Sequence, residues 1–296
     1  MTSTTLSWRH ALLALAVVAV WGSNFVVIKI ALAHLPPLTF ATLRFTFALL
    51  PAVFFLKRPD VPWRNLAAYG VLIGLGQFGM LYLAMNGHIS PGLASLVVQS
   101  QVFFTIGLSM VLTGERVKLF QIGALLLATA GLAVILLHTD GTTTPLGLGL
   151  VLVAGLSWAC GNLVQRSTPG VSSLAFVVWA SLFSVPPLLA LALIFEGPTA
   201  MISGIARADA LTWASVAWQS VGNTLFGYAA WGWLLARNPA ATITPMAFFV
   251  PVFGMAGAAL ILAEPLPGWK LAAAGLVLAG LALNMFWPMV VARLRS

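Results

Sequence analysis

Amide side chains lie within several apolar runs of this sequence, among them Asn24, Gln77, Gln99, Gln101 and Asn162. An amide surrounded by hydrocarbon is costly unless it finds a hydrogen-bond partner or water. Its chemistry is to donate and accept hydrogen bonds, either with a polar solute or with a neighbouring helix. For Asn24 and Asn162 the sequence leaves both roles open.

Gln99 and Gln101 stand two positions apart in one apolar run. On a helix they point about 200° apart, so they do not both face the same cavity. We expect one of them to line a cavity and the other to bond a neighbouring helix. The sequence alone does not decide which.

Aromatic residues accompany these amides. Trp21 and Trp158 lie near the middle of their runs, each followed by small residues and an asparagine. Tyr228 and Trp231 are three apart and share one helix face. They lie near the end of their run, where they suit either an interfacial aromatic belt or a cavity wall. Trp21 and Trp158 are too deep for the belt role to suit them.

Ionisable groups provide no catalytic constellation. The four histidines, His10, His34, His88 and His138, are dispersed near the ends of runs, and Cys160 is the single cysteine. Without a nucleophile–base pair or clustered metal ligands, we expect no enzyme activity, no metal and no cofactor. Arg44 lies inside a run, where it is a functional candidate or a side chain that snorkels outward or closes a helix end. Lys29, at the end of its run, suits snorkelling.

The acidic residues all fall at or beyond the ends of the runs: Asp60, Glu115, Asp140, Glu196, Asp209 and Glu264. Proton-driven carriers commonly place a carboxylate within the membrane. The pattern therefore argues against proton coupling through a carboxylate. For Glu115 and Glu264 we expect a local role, pairing with basic groups or holding a loop.

Composition identifies an integral membrane protein. Of 296 residues, 60% are hydrophobic and 7% charged, against about 25% charged in soluble domains. The net charge of +8 does not indicate nucleic acid, because the basic residues lie in short loops between apolar runs. The expected surroundings are a lipid bilayer, with a small molecule as the only other expected partner. The oligomeric state is left open.

Ten apolar runs are each near the length of about 20 residues that spans a bilayer. We interpret the first as an uncleaved helix rather than a signal peptide, because it is long and nine more follow. The runs are 11–33, 37–56, 66–86, 91–112, 119–138, 146–165, 174–195, 211–236, 240–262 and 269–290.

Basic residues between the runs predict the orientation. With a cytoplasmic N-terminus, the cytoplasmic side holds Arg9, Lys57, Arg58, Arg64, Arg116, Lys118, Arg166, Arg237, Arg293 and Arg295, and the opposite side holds Arg207 and Lys270. Ten against two is a strong bias. Both termini are therefore expected in the cytoplasm.

The sequence repeats itself. A shift of 149 residues, from Glu115 to Glu264, also superposes 130–133 on 279–282 with identical residues. We divide the chain into a first unit of residues 1–140 and a second of 141–296. Each holds five spans, an odd number, so the second unit is inverted and a binding site is expected near the midplane between the units.

Prolines distinguish the two copies. Pro245 and Pro251 lie in the ninth run, where they free backbone carbonyl groups and permit a kink. The positions that match them in the fourth run are Leu96 and Val102. From this difference we expect a broken helix in the second unit only.

Several motifs together resemble a known family. WGSNFVVIK (21–29), PPLTFATLRF (36–45), SPGLASLVVQSQVFFTI (90–106) followed by GER, SWACGN (157–162) and PMAFFVPVFGMAGAALILAE (245–264) are similar to the EamA family of the drug/metabolite transporter superfamily. The similarity runs over essentially the whole chain. Within the family it is greatest to the bacterial O-acetylserine/cysteine exporters.

That resemblance implies a fold, a cellular location and a substrate-binding site. It implies ten transmembrane helices in a 5+5 inverted repeat, a bacterial inner-membrane location and a central cavity. It also implies the export of small amino acids and related metabolites by alternating access. Carried onto this chain, the candidate substrate-binding residues are Asn24, Gln77, Gln99, Trp158, Asn162, Tyr228 and Trp231.

Two functions compete for such a cavity. Amides and aromatic rings without a buried acid suit a small zwitterionic amino acid, whose charges amides and helix ends can address. The alternative is a multidrug exporter for aromatic or cationic compounds, in which the aromatic rings serve as stacking surfaces. A passive channel is distinguished from both by transport that does not saturate and shows no counterflow.

Overall fold

The computed structural model describes residues 7–113, 118–138 and 142–294, and Glu115, Asp140 and Arg295 lie outside this part. Within it the regular structure is entirely helical. We number the ten long helices α1 to α10. They are α1 Trp8–Ala31, α2 Pro37–Leu49 with a last turn Ala52–Phe55, α3 63–85, α4 91–113, α5 Leu119–Leu137, α6 Pro145–Arg166, α7 173–196, α8 210–237, α9 240–261 and α10 Gly268–Leu294. A shorter helix, Gly197–Arg207, connects α7 to α8.

Helix starts follow from local sequence. Side chains of Ser7, Thr144, Ser172 and Asp209 accept hydrogen bonds from backbone N–H groups in the first turns of α1, α6, α7 and α8. Such caps satisfy donors that a helix leaves free at its N-terminus. The hydrogen bonds from Thr212 hold the pKa of the Asp209 carboxyl below its usual range.

All ten helices match the predicted runs, but α8 differs from the others in polarity. In the described part of the chain, nine helices are long and apolar enough to cross a membrane. α8 spans 210–237 and packs against α1 and α2, yet it does not reach that apolarity. Its middle carries polar residues that face the interior of the bundle, so burial rather than lipid exposure explains its composition.

The inverted repeat is visible in α3 and α8. Both begin with eight residues of α-helix and then change to nine residues of π-helix, Val71–Gly79 in α3 and Trp218–Phe226 in α8. Helical segments of this kind occur frequently at functional sites. Two copies of one module thus place the same irregularity at matching positions.

The contact between α5 and α10 follows the 149-residue shift. A Cβ atom on Gly131 of α5 would lie 2.9 Å from the carbonyl oxygen of Ala273, and one on Gly280 of α10 would lie 2.6 Å from that of Ala124. The shift relates Gly131 to Gly280 and Ala124 to Ala273. Each helix therefore presents the same small-residue surface to the other, which lets the two backbones approach closely.

The expectation of a broken helix in the second unit only is wrong. α9 contains the 3₁₀ segment Thr244–Phe248, and α4 contains one at the matching place, Val98–Ser100. Proline is not needed for the break in α4. There Ser100 packs directly on α6, where a Cβ atom on Gly155 would lie 2.7 Å from its hydroxyl oxygen.

The two ends of the bundle differ. Residues 91–100, in the half of α4 near the end at which α1 finishes, are all buried, whereas residues 101–110 are all half-buried. We call the end at which α1 finishes the closed face and the end at which α1 begins the open face. α4 thus passes from a tightly packed environment to a loosely packed one.

Carboxylates from loops tie the closed face together. Glu264 accepts hydrogen bonds from the Ser90 hydroxyl group and from the Gly92 backbone N–H at the start of α4, and it pairs with Lys270 Nζ at 2.9 Å. Glu196 accepts from the backbone N–H groups of Leu38 and Thr39 at the start of α2, at 2.6 and 2.9 Å. The local role predicted for Glu264 agrees with these contacts, since anions favour helix N-termini.

Candidate functional site

α8 turns a polar face toward the interior of the bundle. Gln219, Ser220, Asn223 and Thr224 of its π-helical segment are buried, whereas the apolar side chains of Trp218 and Val221 are exposed. A helix of a soluble protein instead buries its apolar side chains and exposes its polar ones. Exposed apolar side chains are expected where the exterior is lipid. The polar face therefore meets other helices rather than water.

Hydrogen bonds join this face to α1. Gln219 Nε2 donates to the backbone carbonyl oxygen of Asn24 at 3.4 Å, and Trp21 Nε1 donates to the backbone carbonyl oxygen of Asn223 at 3.2 Å. The side-chain oxygens of Asn24 and Gln219 are buried and accept no hydrogen bond. Two amide oxygens thus remain available at the junction of α1 and α8.

The same face is joined to α2 through Arg44. Arg44 Nη2 donates to Thr224 Oγ1 at 3.2 Å, and the Ser220 hydroxyl donates to the Arg44 carbonyl oxygen at 3.0 Å. Thr224 Oγ1 in turn donates to the Gln219 carbonyl oxygen at 2.9 Å. We call Asn24, Arg44, Gln219, Asn223 and Thr224 the polar cluster. Arg44 is buried, so it does not snorkel outward, whereas Lys29 is exposed.

Three aromatic rings adjoin the polar cluster on the side of the open face. The ring centroid of Trp21 lies 5.1 Å from that of Trp231 and 6.0 Å from that of Tyr228. Tyr228 and Trp231 are half-buried. The sequence left two roles open for Tyr228 and Trp231, a cavity wall or an interfacial belt. Their contact with Trp21 favours the cavity wall.

Tyr228 also lines a cavity of about 500 Å³ near the open face. Its other walls are the start of α7 with the preceding loop, residues 170–174, and the end of α8, including Gly232 and Trp233. The ring of Tyr228 contacts that of Trp21, and Trp21 donates its hydrogen bond to Asn223 of the polar cluster. The cavity, the rings and the cluster form a continuous series of contacts from the open face to the middle of the bundle.

A second cavity, of about 330 Å³, opens on the same face between α4, α5, α6 and α10. Its polar lining includes Lys118, Gln121, Arg166 and Asn284. Both cavities thus lie at the open face, where α4 is half-buried.

A hydrogen bond from α6 shows which of Gln99 and Gln101 bonds a neighbouring helix. Asn162 Nδ2 donates to Gln101 Oε1 at 3.1 Å, so Gln101 is the glutamine that bonds a neighbouring helix. Gln99 is buried in the 3₁₀ segment of α4. The side-chain N–H group of Asn162 is thus used in a hydrogen bond between helices, whereas the side-chain oxygen of Asn24 accepts no hydrogen bond.

The remaining predicted residues, Gln77 and Trp158, lie on α3 and α6. Gln77 is buried in the π-helical segment of α3, and its Oε1 atom accepts no hydrogen bond. Trp158 is half-buried on α6. Their neighbours Gly76 and Ser157 touch, since a Cβ atom on Gly76 would lie 2.6 Å from Ser157 Oγ. Of the seven predicted residues, Asn24, Tyr228 and Trp231 lie on α1 and α8, whereas α3, α4 and α6 carry the other four, Gln77, Gln99, Trp158 and Asn162.

Sequence reasoning missed the residues on α8 that carry most of the polar cluster, namely Gln219, Asn223 and Thr224. A signal was present in their spacing. Positions 219, 220, 223 and 224 are all polar and recur at the helical period of three to four residues within an otherwise apolar run. A run interrupted on one face in this way indicates a helix that lines the interior.

Comparison with known proteins gives the family. The sequence profile of the EamA-like transporter family matches residues 8–137 and 145–286. The chain is 39% identical over 287 residues to a "Probable amino-acid metabolite efflux pump" of Salmonella typhimurium, covering 95% of this chain and 96% of that one. It is 40% identical over 289 residues to the protein of the same description in Escherichia coli, with the same coverage.

Further comparisons extend this result. A "Probable terminal-alkyne amino-acid exporter" of Streptantibioticus cattleyicolor is 28% identical over 287 residues, with 90% of each chain covered. A solved crystal structure with 18% sequence identity shares the fold, with a TM-score of 0.65 over 97% of this chain and 99% of that one. The family is one of membrane transporters and not of enzymes. With both halves matched, the chain belongs to the EamA-like transporter family.

Proposed function

We propose that this protein exports small neutral amino acids and related metabolites, with cysteine and O-acetylserine as the expected substrates, across the bacterial inner membrane. The observation that carries the proposal is the polar cluster. Its free amide oxygens, on Asn24 and Gln219, lie at the inner end of the contacts that begin at the 500 Å³ cavity. Relatives described as amino-acid metabolite efflux pumps support the choice of substrate class.

The orientation follows from the charge bias of the loops. The loops rich in Lys and Arg lie at the open face, so we place that face and both termini in the cytoplasm. The structure then corresponds to a cytoplasm-open form, the one in which an exporter takes up its substrate. Alternating access requires a second form in which the contacts of Glu264 and Glu196 loosen and the closed face opens.

The positions of the acidic side chains in the described part of the chain, all outside the interior, support a zwitterionic substrate. In the described part of the chain, Asp60, Glu196, Asp209 and Glu264 all lie at helix ends or in loops. A zwitterion carries its own opposite charges, so amides, an indole N–H and backbone groups can satisfy it. A purely cationic substrate would lack a carboxylate there to balance it.

Export of aromatic or cationic drugs is the second candidate. The observation that favours it is the group of Trp21, Tyr228 and Trp231 beside the cavity, because aromatic faces attract flat and cationic compounds. The two candidates differ in the substrate that moves.

Counterflow in proteoliposomes separates the candidates. Vesicles are loaded with one unlabelled compound and diluted into a trace of its radiolabelled form, with neutral amino acids and aromatic cations compared side by side. We expect transient accumulation of labelled cysteine and related small amino acids, with affinities near millimolar, since an exporter must release what it binds. Accumulation of the cations alone would replace the proposed function by the drug-exporter alternative, and uptake without counterflow would indicate a channel.

A further inference from the structure

Arg44 is a charged residue buried without a charged partner. Its exposed fraction is 1%, and the ion pairs of the described residues do not include it. Burying a cation in a membrane protein is expensive unless other groups compensate its charge. Charged residues in such positions commonly have a role in transport rather than in packing.

Only neutral groups hold the guanidinium in place. Nη1 donates to the Tyr82 hydroxyl at 3.1 Å, Nη2 donates to Thr224 Oγ1 at 3.2 Å, and the carbon Cζ lies 3.5 Å from the ring centroid of Phe78. Nε donates to nothing. A guanidinium has five N–H donors in a planar fork that matches a carboxylate. Most of that capacity is unused here.

The unsatisfied atoms around Arg44 are complementary to an amino acid. Arg44 Nε is a donor without an acceptor, and Asn24 Oδ1 and Gln219 Oε1 are acceptors without donors. The Thr224 hydroxyl accepts from Arg44 Nη2 and donates to the backbone carbonyl oxygen of Gln219, and the Gln219 side chain donates to the backbone carbonyl oxygen of Asn24. A carboxylate requires donors and an ammonium group requires acceptors, and one connected cluster supplies both.

We propose that Arg44 binds the carboxylate of the transported amino acid, while the amide oxygens of Asn24 and Gln219 accept hydrogen bonds from its ammonium group. The proposal rests on the proposed function and specifies its substrate class as free α-amino acids with an unmodified carboxylate. The carboxylate takes the Nε–Nη2 edge of the guanidinium and replaces the neutral Thr224 hydroxyl, because a paired charge-assisted bond is stronger.

Access to Arg44 involves both π-helical segments. Phe78 belongs to that of α3 and Thr224 to that of α8, and they touch the guanidinium from two sides. In the cytoplasm-open form these contacts enclose it. A carboxylate that has passed Tyr228 and Trp21 takes the place of the Thr224 hydroxyl at Arg44, so occupation of the site changes the contact between α2 and α8.

The first test uses the unmodified protein. In proteoliposomes, counterflow of radiolabelled L-cysteine, L-serine and L-alanine is compared with that of their carboxamides, which keep the ammonium group and lose the carboxylate. We expect each carboxamide to be transported at least tenfold less efficiently, because it has no carboxylate to pair with Arg44 and its net charge is positive like that of the guanidinium. Equal transport of acids and carboxamides would overturn the proposal without requiring any variant.

The second test uses variants of Arg44. We expect Arg44→Gln to raise the KM for the amino acids at least tenfold, to leave transport of the carboxamides unchanged or improved, and so to remove the preference for the carboxylate. Arg44→Lys should keep part of the preference, since it retains the charge but not the fork. Lys29→Gln is the matched control, because it removes an exposed cation from α1.

The outcomes separate this proposal from the proposed function. If no small amino acid shows counterflow, the proposed function fails and this inference fails with it. If amino acids are exchanged but Arg44→Gln keeps the preference for the carboxylate, only this inference fails. Insertion and monodispersity of each variant are measured first, and if Arg44→Gln does not fold, the carboxamide comparison in the unmodified protein decides.

Discussion

At the scale of single residues, the two mid-span asparagines have different surroundings. Asn24 keeps a buried side-chain oxygen without a donor, whereas Asn162 already donates to Gln101 of α4. The sequence left two roles open for both residues, a hydrogen bond to a neighbouring helix or a contact with a polar solute. The structure gives Asn162 a bond between helices, whereas the side-chain oxygen of Asn24 can still accept a hydrogen bond from a substrate that we propose to bind there.

We therefore predict that Asn24→Ala lowers transport several-fold, chiefly through KM, without changing the melting temperature of the purified protein. Asn162→Ala is the matched comparison. It should lower both transport and melting temperature, because it removes an interhelical hydrogen bond worth about 0.6–2 kcal/mol. Initial rates of counterflow and thermal unfolding in detergent measure the two effects. Normal transport by Asn24→Ala would remove Asn24 from the site.

At the scale of helices, irregular segments and close packing occur in pairs. The π-helical segments of α3 and α8 and the 3₁₀ segments of α4 and α9 occupy matching places in the two units. α5 and α10 instead form a regular, close contact through matching glycines. The π-helical segments of α3 and α8 both contact Arg44, through Phe78 and Thr224, whereas α5 and α10 pack on each other as regular helices.

We predict that Gly131→Val and Gly280→Val destabilise the protein to a similar extent, each by about 1–3 kcal/mol or more, because the added side chain meets a backbone carbonyl oxygen that cannot yield. Gly275→Val on the exposed side of α10, where a Cβ atom has open space, is the control. The monodisperse fraction that survives heating in detergent measures the effect. Destabilisation by Gly275→Val alone would contradict the close α5–α10 contact.

A second prediction at this scale concerns the closed face. Glu264→Gln removes the charge that faces Lys270 and the start of α4, so we expect the contact between α4 and α9 to loosen. Ser95 of α4 is buried at this face against Gly254 of α9. The measurement uses Ser95→Cys in a protein that also carries Cys160→Ala. We expect its thiol to react several-fold faster with an impermeant reagent applied outside when Glu264→Gln is present than when Glu264 is intact.

The control for that measurement is Glu196→Gln. It weakens the other carboxylate contact of the closed face, at α2, and does not touch α4. We expect little change in the reactivity of the cysteine at position 95. Unchanged reactivity in Glu264→Gln itself would show that Glu264 does not hold this end of α4 in place.

At the scale of the whole molecule, the ten helices and the charges of the loops predict which parts of the chain are in the cytoplasm. We predict that reporters fused at Asp60 and Arg295 are active in the cytoplasm and that one at Asp140 is active outside, because Lys and Arg are concentrated in loops of the open face. Paired enzymatic reporters, each active on one side only, measure this. A cytoplasmic reporter at Asp140 would be incompatible with the inverted repeat.

The sequence by itself determined the class of protein and its repeat. Ten apolar runs fix ten helices, since hydrophobic length is a local property that needs no knowledge of neighbours. The 149-residue shift, found by matching Glu115 to Glu264, also relates the residues that meet between α5 and α10. The repeat predicts this contact because two copies of one module pack on each other through the same surface.

Only the tertiary structure decided which side chains share a site. Gln101 rather than Gln99 bonds α6, Arg44 meets Thr224 from the other unit, and α4 breaks without a proline. Each depends on which helices are neighbours and how they are rotated about their axes. In a membrane, apolar lipid and apolar protein interior are alike as surroundings, so hydrophobicity does not specify which face of a helix turns inward. The contacts of the folded chain specify it.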